Sequence, residues 1–296
     1  MSIPGYYILP LLAGLGYALS AVCSKRAMVE GAGMMRLIVA TNWATVLAFS
    51  ALLLFLPSKV DWSHWLYPLL AGVSFFVGQG FTFLAIRVGD VSIQGPMMGT
   101  KTVFVALVIA VFGTVGVDTV TWIGAFLTAV AVFLLGFSGW GNPRQTLWAI
   151  VLALAASASF AAADVQMATN APKFGPAPFL VVMGLTNALL SMGFVPFFKG
   201  RFRELPRRSL PWFWAGAGLM GLQALIICGS LSSFGQETTV TQNILYSARG
   251  FWSILLVSVL GGLFGNLEQG LGPRVVAQRL VGTSLLLVAI VLVLTR

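Results

Sequence analysis

The chain has 296 residues, of which 58% are hydrophobic and only 8% charged, with a formal net charge of +9. A soluble domain carries about 25% charged residues, so composition excludes an ordinary soluble protein and points to a polytopic membrane protein. Nucleic-acid binding is disfavoured despite the positive charge, because the basic residues lie between apolar runs rather than in one interleaved patch.

The first apolar run, Ile8 to Cys23, has no basic residue before it, and Lys25 and Arg26 follow it. That order predicts a retained helix with its N-terminus outside, not a cleaved leader. The small residues before Cys23 faintly resemble a lipoprotein cleavage site, but Val22 is a poor residue directly before the cysteine. A spanning helix needs about 20 mostly apolar residues, and ten segments meet or approach that length. They are 5–24, 34–56, 66–86, 92–113, 119–138, 146–168, 177–198, 211–233, 239–262 and 275–294. Gly and Pro mark the links, as in Ser138-Gly139-Trp140-Gly141-Asn142-Pro143 and Gly270-Leu271-Gly272-Pro273. Cys23 and Cys228 lie in apolar runs without vicinal partners, and His64 stands alone between two segments, so no disulfide framework, metal centre or cofactor is implied.

Orientation follows from the basic residues. Lys25, Arg26, Arg36, Arg87, Arg144, Lys199, Arg201, Arg203, Arg207, Arg208, Arg274 and Arg279 fall on odd-numbered links, against Lys59, Lys173 and Arg296 elsewhere. The odd links are therefore expected to be cytoplasmic and both termini outside. Lys101 and Arg249 belong to neither set, because each lies inside an apolar segment.

Those two cations reveal a repeat. At an offset of 148 residues Lys101 falls on Arg249, Gln94 on Gln242, Phe104 on Trp252, Leu107 on Leu255 and Gly113 on Gly261. At 144, Ala71-Gly72 falls on Ala215-Gly216 and Gln79 on Gln223; at 145, Thr41-Asn42 falls on Thr186-Asn187. Segments one and six match only weakly. Mid-segment polar identities in consecutive order predict two five-helix halves, 1–140 and 141–296. Five is odd, so the second half enters the membrane from the opposite side, an inverted repeat suited to alternating access. The expected fold class is an all-α membrane protein with ten spans around a central cavity. The fused halves already supply two-fold pseudo-symmetry, so a monomer is expected to be complete.

With its 5+5 pattern, short loops, basic link between segments seven and eight, and Gly95-Pro96 in segment four, the chain resembles the drug/metabolite transporter superfamily. It is most similar to the ten-helix exporters built from two EamA-like halves, and among these to bacterial aromatic amino-acid exporters. The resemblance covers the whole chain. It implies a basket-like bundle in the bacterial inner membrane, its cavity lined by segments one, three, four, six, eight and nine, exporting amino acids or related metabolites. There are departures: Gly16-Tyr17 replaces a Trp-Gly pair in segment one, its segment-six counterpart is Ala156-Ser157-Ala158, and segment one lacks the glutamate that small multidrug relatives use for protons and cations.

Ionisable groups deep in a bilayer cost something like 2.5–3.5 kcal/mol on insertion scales and face interiors or watery cavities. Lys101 and Arg249 are thus candidates to attract an anion beside the path, with bonding to backbone carbonyls or to Asp164 as the structural alternative. Mirrored depths are expected, Lys101 towards the cytoplasmic half and Arg249 towards the outer half. Asp164 is expected near the outer end of segment six, to pair with Arg249, receive an ammonium group or carry a proton. Gln79 and Gln223, with Asn42 and Asn187, offer amides at mid-membrane, where the plain alternative is helix-to-helix bonding. Tyr17, Phe83, Phe160, Tyr246 and Trp252 could stack on an aromatic substrate, and Met98 could contact its side chain. The run from Lys199 to Arg208 is first a topology determinant and second a contact for anionic lipid.

The expectation is a secondary transporter of small amphipathic metabolites, amino acids first, by alternating access. Its partners are a small-molecule substrate and the lipid bilayer. Two like charges would repel a quaternary-ammonium drug. No paired acid/base or metal constellation suggests an enzyme, and a channel fits the matched buried cations less well than a carrier.

Overall fold

A computed structural model describes residues 4–55, 59–88, 97–136, 143–198, 200–260 and 273–295. Gln94, Gly95-Pro96, Lys199, Gly261 and the Ser138–Asn142 and Gly270–Gly272 links lie outside the described residues.

Every described element is helical: α1 Ile8–Val29, α2 Met34–Phe55, α3 Leu66–Val88, α4 Lys101–Phe112, α5 Thr119–Gly136 and α6 Pro143–Phe174, followed by α7 Pro176–Ser191, α8 Leu210–Phe234, α9 Gln236–Tyr246, α10 Arg249–Leu260 and α11 Pro273–Leu294. With no water to satisfy backbone groups in hydrocarbon, apolar runs of this length form helices. Among the described residues seven candidate spans are long and apolar enough to cross a membrane, and the stretches Met98–Phe112 and Thr119–Leu135 are shorter apolar helices. Large apolar side chains point outward, Leu54 at 81% and Phe112 at 79% exposure. Much of the interior is alanine, with Ser and Thr among it. That inside-out distribution is what lipid demands: small residues let helices approach, and the apolar solvent takes the large ones. The chain is a multi-pass membrane protein.

Contacts define two ends of the bundle. At one, the rings of Tyr6 and Phe234 stack at 4.0 Å, the Asp61 N–H donates to the Phe174 carbonyl at 3.1 Å, and the Thr114 N–H to Gln236 Oε1 at 3.0 Å. At the other, Arg36 donates to the carbonyls of Gly31 and Arg201, both at 3.0 Å, and Gln278 to that of Leu134 at 2.8 Å. The first end carries Asp61, Asp118 and Glu237 with Lys59 and Lys173; the second carries Arg26, Arg36, Arg144, Arg201, Arg203, Arg207 and Arg208 with Glu30 and Glu204. Two reversals at the first end take a single residue each, Gly175 (φ 112°) between α6 and α7 and Gly235 (φ 71°) between α8 and α9. Only glycine holds such a backbone without strain.

The broadest packing is α3 on α6 and α1 on α8, followed by α11 on α5, α2 on α8 and on α7, and α3 on α7. Further in, α1 packs on α10 and α4 on α6.

Three boundaries depart from the sequence reading. Segment nine is not one helix, since α9 ends at Tyr246 and α10 starts at Arg249. Lys101 is the first residue of α4, directly after a 3₁₀ turn over Met98–Thr100 that follows a helical Met97. Segment six continues to Phe174, so Asp164 sits ten residues from the helix end and not beside a loop. Hydropathy ends that segment early, because Asn170 and Lys173 are polar, but backbone bonding carries the helix beyond the hydrocarbon.

Candidate functional site

Both intramembrane cations stand where the helix winding changes. After α9, the Ser247 N–H is shared between the Asn243 and Ile244 carbonyls (3.1 Å each), and the Ala248 N–H bonds Leu245 (3.1 Å). These i to i−3 bonds tighten the turn immediately before Arg249, as the Met98–Thr100 turn does before Lys101. A mid-helix 3₁₀ stretch frequently marks a functional hinge, and interrupted helices build the sites of many transporters. Neighbours lock both junctions. A Cβ on Gly14 of α1 would lie 3.2 Å from the Arg249 nitrogen and 3.3 Å from the Tyr246 carbonyl, so only glycine lets α1 come this close without a shift. On the other side, Ser157 of α6 donates to the Met97 carbonyl at 3.2 Å and approaches Met98 Sδ at 3.6 Å.

The cations have different partners. Lys101 Nζ lies 2.6 Å from Asp164 Oδ2, with the two side chains 13% and 6% exposed. Asp164 Oδ2 makes no hydrogen bond of acceptable angle, so the contact is chiefly coulombic. Arg249 has no acid within ion-pair distance among the described residues. Its guanidinium carbon sits 4.9 Å from the centre of the Tyr17 ring and 4.5 Å from that of Tyr246. Those rings meet edge to face, 6.3 Å apart, and the Tyr246 hydroxyl donates to Gln223 Oε1 at 2.8 Å. Arg249 still feels Asp164 electrostatically, and Cys228 of α8 feels Asp164 and Lys101. Lys101 and Asp164 thus form a neutral pair, and the half-buried Arg249 adds an excess of one positive charge.

The other sequence candidates divide. Tyr17, Tyr246, Gln223 and Arg249 come together, and Lys101 pairs with Asp164. Gln79 is engaged elsewhere, exchanging two hydrogen bonds with Asn42, 3.1 and 2.9 Å. Phe83 lies 6.5 Å from the ring of Phe194, and Phe160 packs edge to face on Phe75 at 5.0 Å. Met98 lies beside Ser157. Trp252 neighbours Phe251 at 5.4 Å, its indole N–H buried without an acceptor. His64 is held locally by Asp61 and Ser63.

Three contributors escape a reading of residue types. Gly14 and Ser157 occupy matching places against the two junctions, 143 residues apart, and a search for small residues at the repeat offset would have found them. Gln236 accepts from the Thr114 N–H and hydroxyl (3.0 Å each) and donates to the Thr169 hydroxyl, tying α9, α6 and the end of α4 together. A cavity of about 140 Å³ opens beside it, between Asp118, Thr121 and Glu237, and none of the site candidates lines it.

Residues 4–137 match the EamA-like transporter family. This match covers just under half of the chain and supports the resemblance to the drug/metabolite transporter superfamily, which suggests a membrane transporter of small metabolites. A solved structure, described only as a crystal structure of a protein, is similar over 99% of this chain and 97% of that chain, with TM-score 0.73 and 17% identity. That likeness shows a common fold and leaves activity open. No curated protein matches the chain.

Proposed function

We propose that the chain is a ten-span secondary transporter of two inverted five-helix halves, which exports amino acids, aromatic or hydrophobic first, or similar carboxylate metabolites by alternating access. The packing supports the inverted repeat. Exchanging the first five segments for the last five turns the α3–α6 contact into α8–α1, α2–α8 into α7–α3, and α4–α6 into α10–α1, all of which are present. The basic end is the cytoplasmic one on the positive-inside rule, which leaves both termini outside, here in the bacterial inner membrane.

The observation that carries the substrate class is Arg249. It is a half-buried guanidinium held by two tyrosine faces, with no acid in ion-pair range among the described residues. A carboxylate brought to 4 Å gains about 4 kcal/mol at an effective dielectric of 20. A desolvated aromatic face offers a cation about 2 kcal/mol, so the two faces together match that gain. A carboxylate that meets the guanidinium at its N–H edge adds its gain to theirs, and the rings of Tyr17 and Tyr246 become walls for its side chain. Lys101 stands already neutralised by Asp164, so it receives an anion only when that pair opens, while the ammonium group turns to Asp164.

The test is counterflow of labelled aromatic amino acids in proteoliposomes, with and without an imposed pH gradient. Saturable counterflow that Arg249→Gln abolishes is expected. Unsaturable flux would indicate a channel, and unchanged kinetics in Arg249→Gln and Lys101→Gln would remove the cations from the path.

A further inference from the structure

The two halves hold equivalent amides in different states. Asn42 of α2 and Gln79 of α3 exchange two hydrogen bonds. Their counterparts at offsets 145 and 144 are Asn187 of α7 and Gln223 of α8, identical in type and both buried. These two are not bonded to each other. Gln223 Oε1 accepts from the Tyr246 hydroxyl, and its NH₂ group reaches only Met220 Sδ at 3.1 Å. Asn187 Oδ1 is buried with no partner. A thioether is a weak acceptor, and a buried amide oxygen without a donor demands an explanation. Helices α7 and α8 already touch. The donor that Asn187 lacks and the acceptor that Gln223 lacks would satisfy each other in the arrangement α2 and α3 display.

We propose that Gln223 is a two-position positioning residue. Bonded to Tyr246, it fixes the aromatic clamp around Arg249; turned onto Asn187, it reproduces the Asn42–Gln79 pair and frees the clamp. When the halves exchange conformations, the second half acquires the closed amide pair and the first half loses it. The consequence is one-sided, because Met98 stands at the repeat position of Tyr246: Gln79 has no phenol to hold, so only the second half converts the amide exchange into a change at a cation. The anion site is set in one state and loosened in the other, which is what release on the far side requires. This inference rests on the alternating access of inverted halves proposed above.

Spin labels report the state without substrate. In a chain with Cys23 and Cys228 replaced, labels at Lys59→Cys and Glu237→Cys, both exposed at one end of the bundle, give a distance for each state. Asn187→Leu removes the alternative partner of Gln223 and should enrich the state with the clamp set. Asn42→Leu removes the pair that only this state makes and should deplete it. Each shift should be about three- to tenfold in the ratio of populations, the range of one or two interhelical bonds in a membrane. Tyr246→Phe keeps the ring but not the hydroxyl, and should shift the ratio in the direction of Asn42→Leu. The gentler Asn187→Ser and Asn42→Ser keep the test readable if the leucine variants misfold. Shifts of both asparagine variants in one direction, or in neither, overturn the proposal. Population shifts as stated, without transport of any carboxylate, would sink the transport reading alone; transport with unmoved populations would sink the switch alone.

Discussion

Replacing Asp164 with asparagine separates the folding role of the ion pair from its role at the site. The substitution keeps size and shape but leaves the Lys101 ammonium, 13% exposed, without its counter-charge at 2.6 Å. Removing one partner of a buried pair costs about 3–5 kcal/mol, whereas replacing both with apolar residues of similar volume is often neutral or stabilising. Asp164→Asn is therefore expected to lose about 3–5 kcal/mol, and Lys101→Met/Asp164→Leu to return close to the parent. Equilibrium unfolding in mixed detergent–SDS micelles, followed by tryptophan fluorescence, reads both. The same substitution raises the local excess charge from one positive to two, because Arg249 also loses the acid it feels. Affinity for a carboxylate that has no ammonium group should rise while stability falls, and a role in folding alone would not produce that opposition. A single variant within 1 kcal/mol of the parent, or a double variant less stable than either single, would refute the reasoning.

Further outcomes are open to measurement. Gly72→Ala would place a Cβ 2.6 Å from the Met183 carbonyl and 2.6 Å from Thr186 Cβ, neither the end of a flexible side chain, while Gly80→Ala meets nothing within 4 Å. The first should cost about 1–3 kcal/mol, as overpacking does, and the second should be neutral or slightly stabilising, both read by thermal unfolding in detergent. Gln236→Leu removes the acceptor of two Thr114 donors and the donor to Thr169; a loss of about 1–3 kcal/mol is expected in the same assay. Hydrogen bonds from the Ser63 hydroxyl and N–H, together with His64, hold the Asp61 carboxyl below its ordinary value. The stabilisation of that turn is thus fully present above the ordinary carboxylate pKa of about 3.9 and is lost as pH falls through the lower folded value. Amide exchange at Ser63 should accelerate only in that acid window, and Asp61→Asn should abolish the pH dependence.

The sequence by itself determined the helical, multi-pass character of the chain and the 148-residue offset that sets Lys101 against Arg249. Hydrophobic length and the repeat offset depend on residue order alone. Sequence also brought the right residue types into view, since a lysine, an arginine and an aspartate inside apolar runs are conspicuous whatever they contact. Only the tertiary structure decided how they pair. Helices apolar on every side carry no stripe to say which face turns inward, so nothing in the chain told Asp164 to take Lys101 rather than Arg249, or placed Tyr17 and Tyr246 around the guanidinium. The same limit explains the two glutamines. Gln79 and Gln223 are equivalent by residue type and by offset, yet one closes on an asparagine and the other on a tyrosine. That difference belongs to the local packing, which presents each glutamine with a different hydrogen-bond partner. The interruptions before Lys101 and Arg249 were invisible for a related reason: a 3₁₀ turn and an α turn differ by one hydrogen-bond step that local composition does not encode, and the neighbouring Gly14 and Ser157 hold the backbone there.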